Sequence, residues 1–125
     1  MTDDQNPRLV ALRGATTVDT DTQDDIRQRT EELLTQLFAR NDLATDDIVS
    51  ILFTATPDLR SDFPAAAART LGLSNTPLLC AQEIPVEGAM ARCIRVLIHC
   101  YGPAGATRHH VYLHEARQLR PDVPS

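Results

Sequence analysis

Lysine is absent from this chain, and all twelve of its basic residues are arginine. That excludes Schiff-base chemistry on a lysine and the lysine-bearing phosphate cradle of nucleotide-binding loops. Any anionic ligand must be held by guanidinium groups, whose planar forks engage both oxygens of a carboxylate at once. Tryptophan is also missing and aromatic residues make up only 4%, so a core must be filled by Leu, Ile, Val and Ala. The three cysteines, Cys80, Cys93 and Cys100, form neither a CxxC pair nor an even set. Free thiols in a reducing compartment are therefore expected. No stretch approaches the roughly 18–20 consecutive apolar residues of a membrane span. The opening Met1-Thr2-Asp3-Asp4 is acidic where a secretory signal is basic. A cytoplasmic protein without membrane contact is the expectation. With no internal repeat and no linker, residues 1–125 are read as one domain, with 1–7 a flexible leader and 122–125 a tail.

Charge is present but unevenly divided. Residues 1–62 carry 13 acids and 6 arginines, and residues 63–125 carry 4 acids and 6 arginines, so the halves stand at −7 and +2 within a total of −5. A local anion site fits the second half. An acidic chain without a clustered basic stripe or interleaved aromatics does not fit a nucleic-acid partner.

The hydrophobic pattern outlines the elements. Leu9 to Leu12 reads as a strand running into a tight turn at Arg13-Gly14, which puts Arg13 at a strand end. From Thr22 to Arg40, Ile26, Leu33, Leu34, Leu37 and Phe38 recur at helical spacing behind Thr/Asp capping residues, with Asn41 as the stop. Ile48 to Phe53 is β-branched and apolar, as in a buried strand. Phe63 to Arg69 reads as a short helix, with Pro64 at its start and Gly72 past its end. Further strands are expected over Leu78–Ile84, Cys93–Cys100 and around His110–Leu113, the last extended through Leu119. Alternation puts Cys93, Arg95, Leu97 and His99 on one face. Strands and helices in this mixed order define an α+β fold, a mixed sheet packed against one long and one short helix.

Few residues stand out chemically. His109, His110 and His114 invite a metal reading, but on a strand His109 and His110 face opposite ways, and His110 and His114 stand ~13 Å apart. No metal site is expected. Cys80 and Glu83 lie three residues apart on one strand and so point to opposite faces; taken alone they read as a packed thiol and an exposed acid. Arg95 interrupts the apolar run Cys93–Ile98, where a charge is costly unless paired or solvated. It is either a structural ion pair or a guanidinium awaiting a carboxylate ligand.

Taken together, several segments resemble the AroH-type chorismate mutases. They are Arg13-Gly14-Ala15-Thr16-Thr17, Thr54-Ala55-Thr56-Pro57-Asp58-Leu59, Phe63-Pro64-Ala65 through Arg69, Cys80-Ala81-Gln82-Glu83, Cys93-Ile94-Arg95-Val96, His110-Val111-Tyr112-Leu113 and Leu119-Arg120-Pro121-Asp122. They occur in order from about Val10 to Asp122. The resemblance implies a homotrimer with a barrel-like sheet core and active sites between subunits. It also implies roles. Arg95 would contact the ether oxygen and a carboxylate of chorismate; Arg13 would bind the enolpyruvyl carboxylate with help from Tyr112; Leu119 would line the site. Glu83 and Cys80 would stand by the ring hydroxyl and the developing charge. Phe63 and Arg69 would come from the neighbouring subunit. Ala66 departs from the pattern, because relatives often carry a basic residue there, and removes a secondary contact to the substrate or the tail.

The chemistry implied is one intramolecular pericyclic step, chorismate to prephenate, as in aromatic amino acid biosynthesis. It requires neither nucleophile, metal nor cofactor. The protein must fold the enolpyruvyl arm over the ring and stabilise charge growing on the ether oxygen. A preorganised donor there is worth roughly 3–4 kcal/mol. The rival reading is a non-catalytic trimer that binds a small carboxylate through the same arginines. A trimeric enzyme of similar shape but different chemistry, such as an enamine deaminase, fits the motifs less well.

Overall fold

The computed structural model of the chain describes residues 7–122. Its frame is one five-stranded sheet. Strands β1 (Pro7–Thr17), β2 (Ile48–Ala55), β3 (Leu78–Gln82), β4 (Cys93–Pro103) and β5 (Val111–Tyr112) are arranged in the order β3-β2-β4-β1-β5. The long strands β1 and β4 pair antiparallel over their whole length, β2 is antiparallel to β4, and the two edges, β3 on β2 and β5 on β1, are parallel. Two helices, α1 (Gln23–Arg40) and α2 (Ala65–Thr70), complete the α+β architecture expected from the sequence.

Helix α1 begins where the sequence signals it. Thr22 caps it by accepting the Asp25 N–H at 3.2 Å, Asp24 and Asp25 face the positive end of the helix dipole, and Arg40 sits in the last turn. At the far end the Asn41 N–H donates to the Leu37 carbonyl at 3.2 Å. Ile26, Thr30, Leu33, Leu34 and Leu37 form the buried stripe, and fully burying each leucine contributes about 1.5–3 kcal/mol. Leu33, Leu34 and Leu37 meet Leu12 of β1, Ile51 and Phe53 of β2, Val96 and Ile98 of β4, and Ala65 and Ala68 of α2 in the main core.

Three expectations from the sequence are corrected. The chain does not turn at Arg13-Gly14: β1 runs straight through both. Gly14 serves the approach of α1, since a Cβ there would stand 2.9 Å from a Leu37 methyl and 3.1 Å from the Val111 carbonyl oxygen. Arg13 is therefore a mid-strand residue. The last strand does not extend through Leu119 but stops at Tyr112, and after Leu113 the chain enters a 3₁₀ helix, His114–Leu119. His114 adopts a left-handed backbone (φ 54°), which breaks the extension, and Ala116 then buries against Ala15, Cys93 and Tyr112. Strand β3 ends at Gln82 rather than Ile84, although the Glu83 N–H still reaches the Ala55 carbonyl at 3.0 Å.

Of the leader expected over 1–7, residues 1–6 lie outside the described part, and Pro7 already pairs with Pro103 in β1. In the tail expected over 122–125, residues 123–125 lie outside it, and Asp122 accepts the Arg120 guanidinium at 2.9 and 3.1 Å. No helix among the described residues is long and apolar enough to cross a membrane.

The two faces of the sheet differ. Ile94, Val96, Ile98 and Cys100 of β4 are buried on the helix-covered face. Arg95, Leu97 and His99 alternate onto the other, joined by Leu9, Ala11 and Arg13 of β1, Leu52 and Thr54 of β2, and Leu79 of β3. Only the Ala15 end of that face is covered, by β5 and the 3₁₀ helix; Leu9 and Leu79 are more than half exposed, at 58% and 59%.

Candidate active site

Strand register assembles the site on the open face. Thr54 pairs with Arg95, Arg95 with Ala15, and Ala15 with Tyr112, so four strands contribute one row of side chains. Arg95 does not enter the apolar core. It projects from the open face with its side chain 47% exposed, while its neighbours Ile94 and Val96 are buried on the other side of β4. Its small neighbour Ala15 leaves room beside the guanidinium. Arg13, opposite Leu97 and thus one step further along the same face, lines the same cavity of about 340 Å³ together with Ala15, Leu52, Thr54, Arg95, Leu97 and Tyr112. That size suits a small organic ligand.

Glu83 enters this group from across β2. Its Oε2 stands 3.0 Å from Arg95 Nε and accepts the Thr54 hydroxyl at 2.6 Å. The Arg95–Glu83 pair is partly solvated, with Glu83 82% shielded and Arg95 about half so. Its value therefore lies in orientation more than in stability. Among the described residues, no carboxylate pairs with Arg13, and Glu83 is the carboxylate that pairs with Arg95. Two guanidinium groups thus line one cavity, Arg95 paired with Glu83 and Arg13 without a carboxylate partner among the described residues.

The surroundings hold these groups in place. The Arg13 backbone N–H donates to His110 Nδ1 at 3.0 Å, which requires that nitrogen to be unprotonated. Burial, and then the charges of Arg13 and Arg120, lower the His110 pKa below its usual 6.5. Tyr112 is buried against Ala15, Cys93 and Ala116, with Met90 and Leu119 closing the cluster. Cys93, two residues before Arg95 on the same face, is pushed up to about 11 by burial, against the opposing pull of the Arg95 charge. It stays a thiol.

The remaining expected site residues lie elsewhere in the chain. Cys80 pairs with Phe53 on the helix-covered side and lines a second cavity, also about 340 Å³, with Phe63, Pro64, Asp62 and Gln82. Phe63 is 69% exposed at its mouth. Arg69, exposed near the end of α2, is close enough for its charge to act on Cys80, whose pKa burial nevertheless raises. Ala66, three residues after Phe63, donates its N–H to the Phe63 carbonyl at 3.0 Å. One protomer therefore holds two separate groups: Arg13, Glu83, Arg95, Tyr112 and Leu119 on one side, Phe63, Arg69 and Cys80 on the other. The three histidines near the chain's end go three ways: His109 N–H to Asn41, His110 to Arg13, and His114 to Glu32 at 2.7 Å.

Sequence reasoning assigned no part to Thr54. Its position in Thr54-Ala55-Thr56-Pro57-Asp58 gave no sign of one, because what brings it to Glu83 and Arg95 is pairing between strands far apart in the chain.

An α+β sheet that sets two guanidinium groups on one small cavity, with a carboxylate paired to one of them, has the chemistry to hold a small carboxylate compound. Comparison with known proteins makes this specific. Residues 9–123 match the family model described as chorismate mutase type I. Chorismate mutase AroH of Thermus thermophilus is 45% identical over 117 residues, covering 91% of this chain and 95% of the relative. Chorismate mutase AroH of Bacillus subtilis is 43% identical over 115 residues, or 90% of each chain. A solved chorismate mutase from Clostridium thermocellum superposes with a TM-score of 0.83 at 44% identity, over 88% of this chain and 99% of that one. The chain belongs to the type I chorismate mutase family, and is an isomerase of that AroH type.

Proposed function

We propose that the Arg13–Glu83–Arg95–Tyr112 group is the site at which this chain converts chorismate to prephenate by a [3,3]-pericyclic rearrangement. The observation that carries this reading is the open-face row in which Glu83 pairs with Arg95, with Arg13, Arg95 and Tyr112 lining one cavity. Arg95 stabilises the negative charge that grows on the ether oxygen as its bond to the ring breaks. Arg13, assisted by Tyr112, clamps the enolpyruvyl carboxylate, and Leu119 packs behind Tyr112. The rearrangement is internal to one molecule, so positioning and electrostatics suffice.

Phe63, Arg69 and Cys80 lie on the far side of the sheet from Arg95 in one protomer. They serve the site only if a neighbouring subunit presents them. The apolar open face, with Leu9, Leu79 and Leu97, supports that assembly, since such a surface is buried in a stable protein. A homotrimer in which the open faces form a shared sheet core, with active sites in the clefts between subunits, accounts for both features. Cys80 then belongs with Phe63 and Arg69 in the half lent by the neighbour. Glu83 carries the role at the ring hydroxyl from the Arg95 side. The three free cysteines are in keeping with a cytoplasmic location.

A direct assay of chorismate loss and prephenate formation tests the reading. Turnover in the parent protein and its collapse in Arg95→Lys are expected; binding of chorismate without turnover would favour a carboxylate-binding module instead.

A further inference from the structure

Glu83 follows β3 and Arg95 lies on β4, with β2 between them. Their backbones are thus two strand spacings apart, roughly 10 Å. The side chains must lean toward each other over β2, and the residue beneath their meeting point is Thr54, the direct cross-strand partner of Arg95. Its hydroxyl donates to Glu83 Oε2 at 2.6 Å, the same oxygen that stands 3.0 Å from Arg95 Nε.

We infer that Thr54 is a positioning residue of the active site, acting on Arg95 through Glu83. A carboxylate free to rotate could offer either oxygen to any nitrogen of the guanidinium, including the bidentate pairing with its terminal nitrogens that Arg and carboxylate groups favour. The Thr54 hydroxyl fixes one Glu83 oxygen over β2, where it meets Nε. Held against that oxygen, the guanidinium keeps one orientation beside the cavity that Arg95 lines. Oε1 of Glu83 is left for the ligand. A β-branched residue suits the strand backbone at this point, so the hydroxyl is the only part of Thr54 that the strand itself does not require.

This inference rests on the proposed site and deepens it. Thr54→Val keeps the shape and removes the donor, while Thr54→Ser keeps the donor. With the full-length protein and chorismate as substrate, Thr54→Val should lower kcat roughly tenfold, the scale of a lost hydrogen bond to a charged group, with KM and Tm little changed. Thr54→Ser should restore most of the rate. In an Arg95→Ala background, Thr54→Val should cost almost nothing further. A kcat for Thr54→Val within about twofold of the parent, or an equal loss with and without Arg95, would overturn the inference while leaving the proposed function intact.

A ligand-free readout separates the two ideas. The Arg95 Nε–H resonance in ¹⁵N-labelled protein, which reports where the Glu83 charge stands, should keep its parent chemical shift in Thr54→Ser and move in Thr54→Val. An unmoved Arg95 resonance in Thr54→Val refutes the positioning role even if the chain proves to have no mutase activity. Should Thr54→Val misfold, Thr54→Ala provides the same comparison without the branched side chain.

Discussion

Glu83 and Arg95 meet across a strand to which neither belongs, with 3.0 Å between Oε2 and Nε above Thr54 of β2. The nearest contact is through Nε, the nitrogen at the stem of the forked guanidinium. Arg95→Lys removes that fork while keeping the charge. Because Arg95 is half exposed and outside the core, its replacement should leave Tm nearly unchanged while kcat drops roughly 10²–10³-fold. Thermal melts beside steady-state kinetics check this, and near-normal turnover would end the role assigned to Arg95.

The rate should depend little on pH. A pericyclic step transfers no proton. Of the groups beside the cleft with shifted pKa values, Cys93 lies up at about 11 and His110 below 6.5. A flat kcat profile is expected over roughly pH 6–9, and a steep bell-shaped one inside that window would contradict the mechanism.

Stability should respond to pH through His110. Its folded pKa is depressed, so above the unfolded value of 6.5 both states are neutral and its contribution is fully present. As pH falls from 6.5 toward the lower folded value, the unfolded chain takes up the proton first and stability declines. In His110→Asn, whose side-chain oxygen can still accept the Arg13 N–H, this part of the acid sensitivity should vanish. Denaturation curves at stepped pH measure it, and identical slopes for parent and variant would refute it.

Assembly should depend on the open face. Leu79 is 59% exposed in the single chain, so Leu79→Glu costs the protomer little, yet it places a charge in the proposed shared core. Sedimentation should show dissociation, with circular dichroism preserved and activity lost, because Phe63 and Arg69 no longer reach Arg95. A Leu79→Glu protein that sediments like the parent and retains activity would exclude this face as the interface.

The cysteines should differ in reactivity. At pH 8 a thiol with a pKa of about 11 is ionised to the extent of about 10⁻³, so Cys93, which is also fully buried, should resist alkylation until the protein unfolds. Cys100 is likewise buried and raised, whereas Cys80 is half-buried beside Arg69. Peptide mapping after brief iodoacetamide treatment should find Cys80 labelled first, and prior labelling of Cys93 would contradict this.

Much of this molecule is local and therefore legible in one dimension. The capping Thr22, the apolar stripe of α1 and the alternation of β4 each arise from residues a few positions apart, and periodicity records them. Alternation also places Cys80 and Glu83 on opposite faces, where the structure has them. Gly14 misled for a physical reason: glycine permits both a turn and the close passage of a helix, and only the position of Leu37 shows which is used. His114 likewise gave no warning that its backbone would turn left-handed and end the last strand.

The sequence by itself determined the chemistry available: guanidinium groups without lysine, a charge in the strand Cys93–Cys100, and a set of ordered motifs that carries the family. Tertiary structure alone decided which groups meet. Strand order set β2 between Glu83 and Arg95, register put Thr54 and Ala15 on either side of the guanidinium, and the sheet held Phe63, Arg69 and Cys80 apart from them. Pairing between distant strands depends on the packing of the whole chain, and no short stretch of residues encodes it.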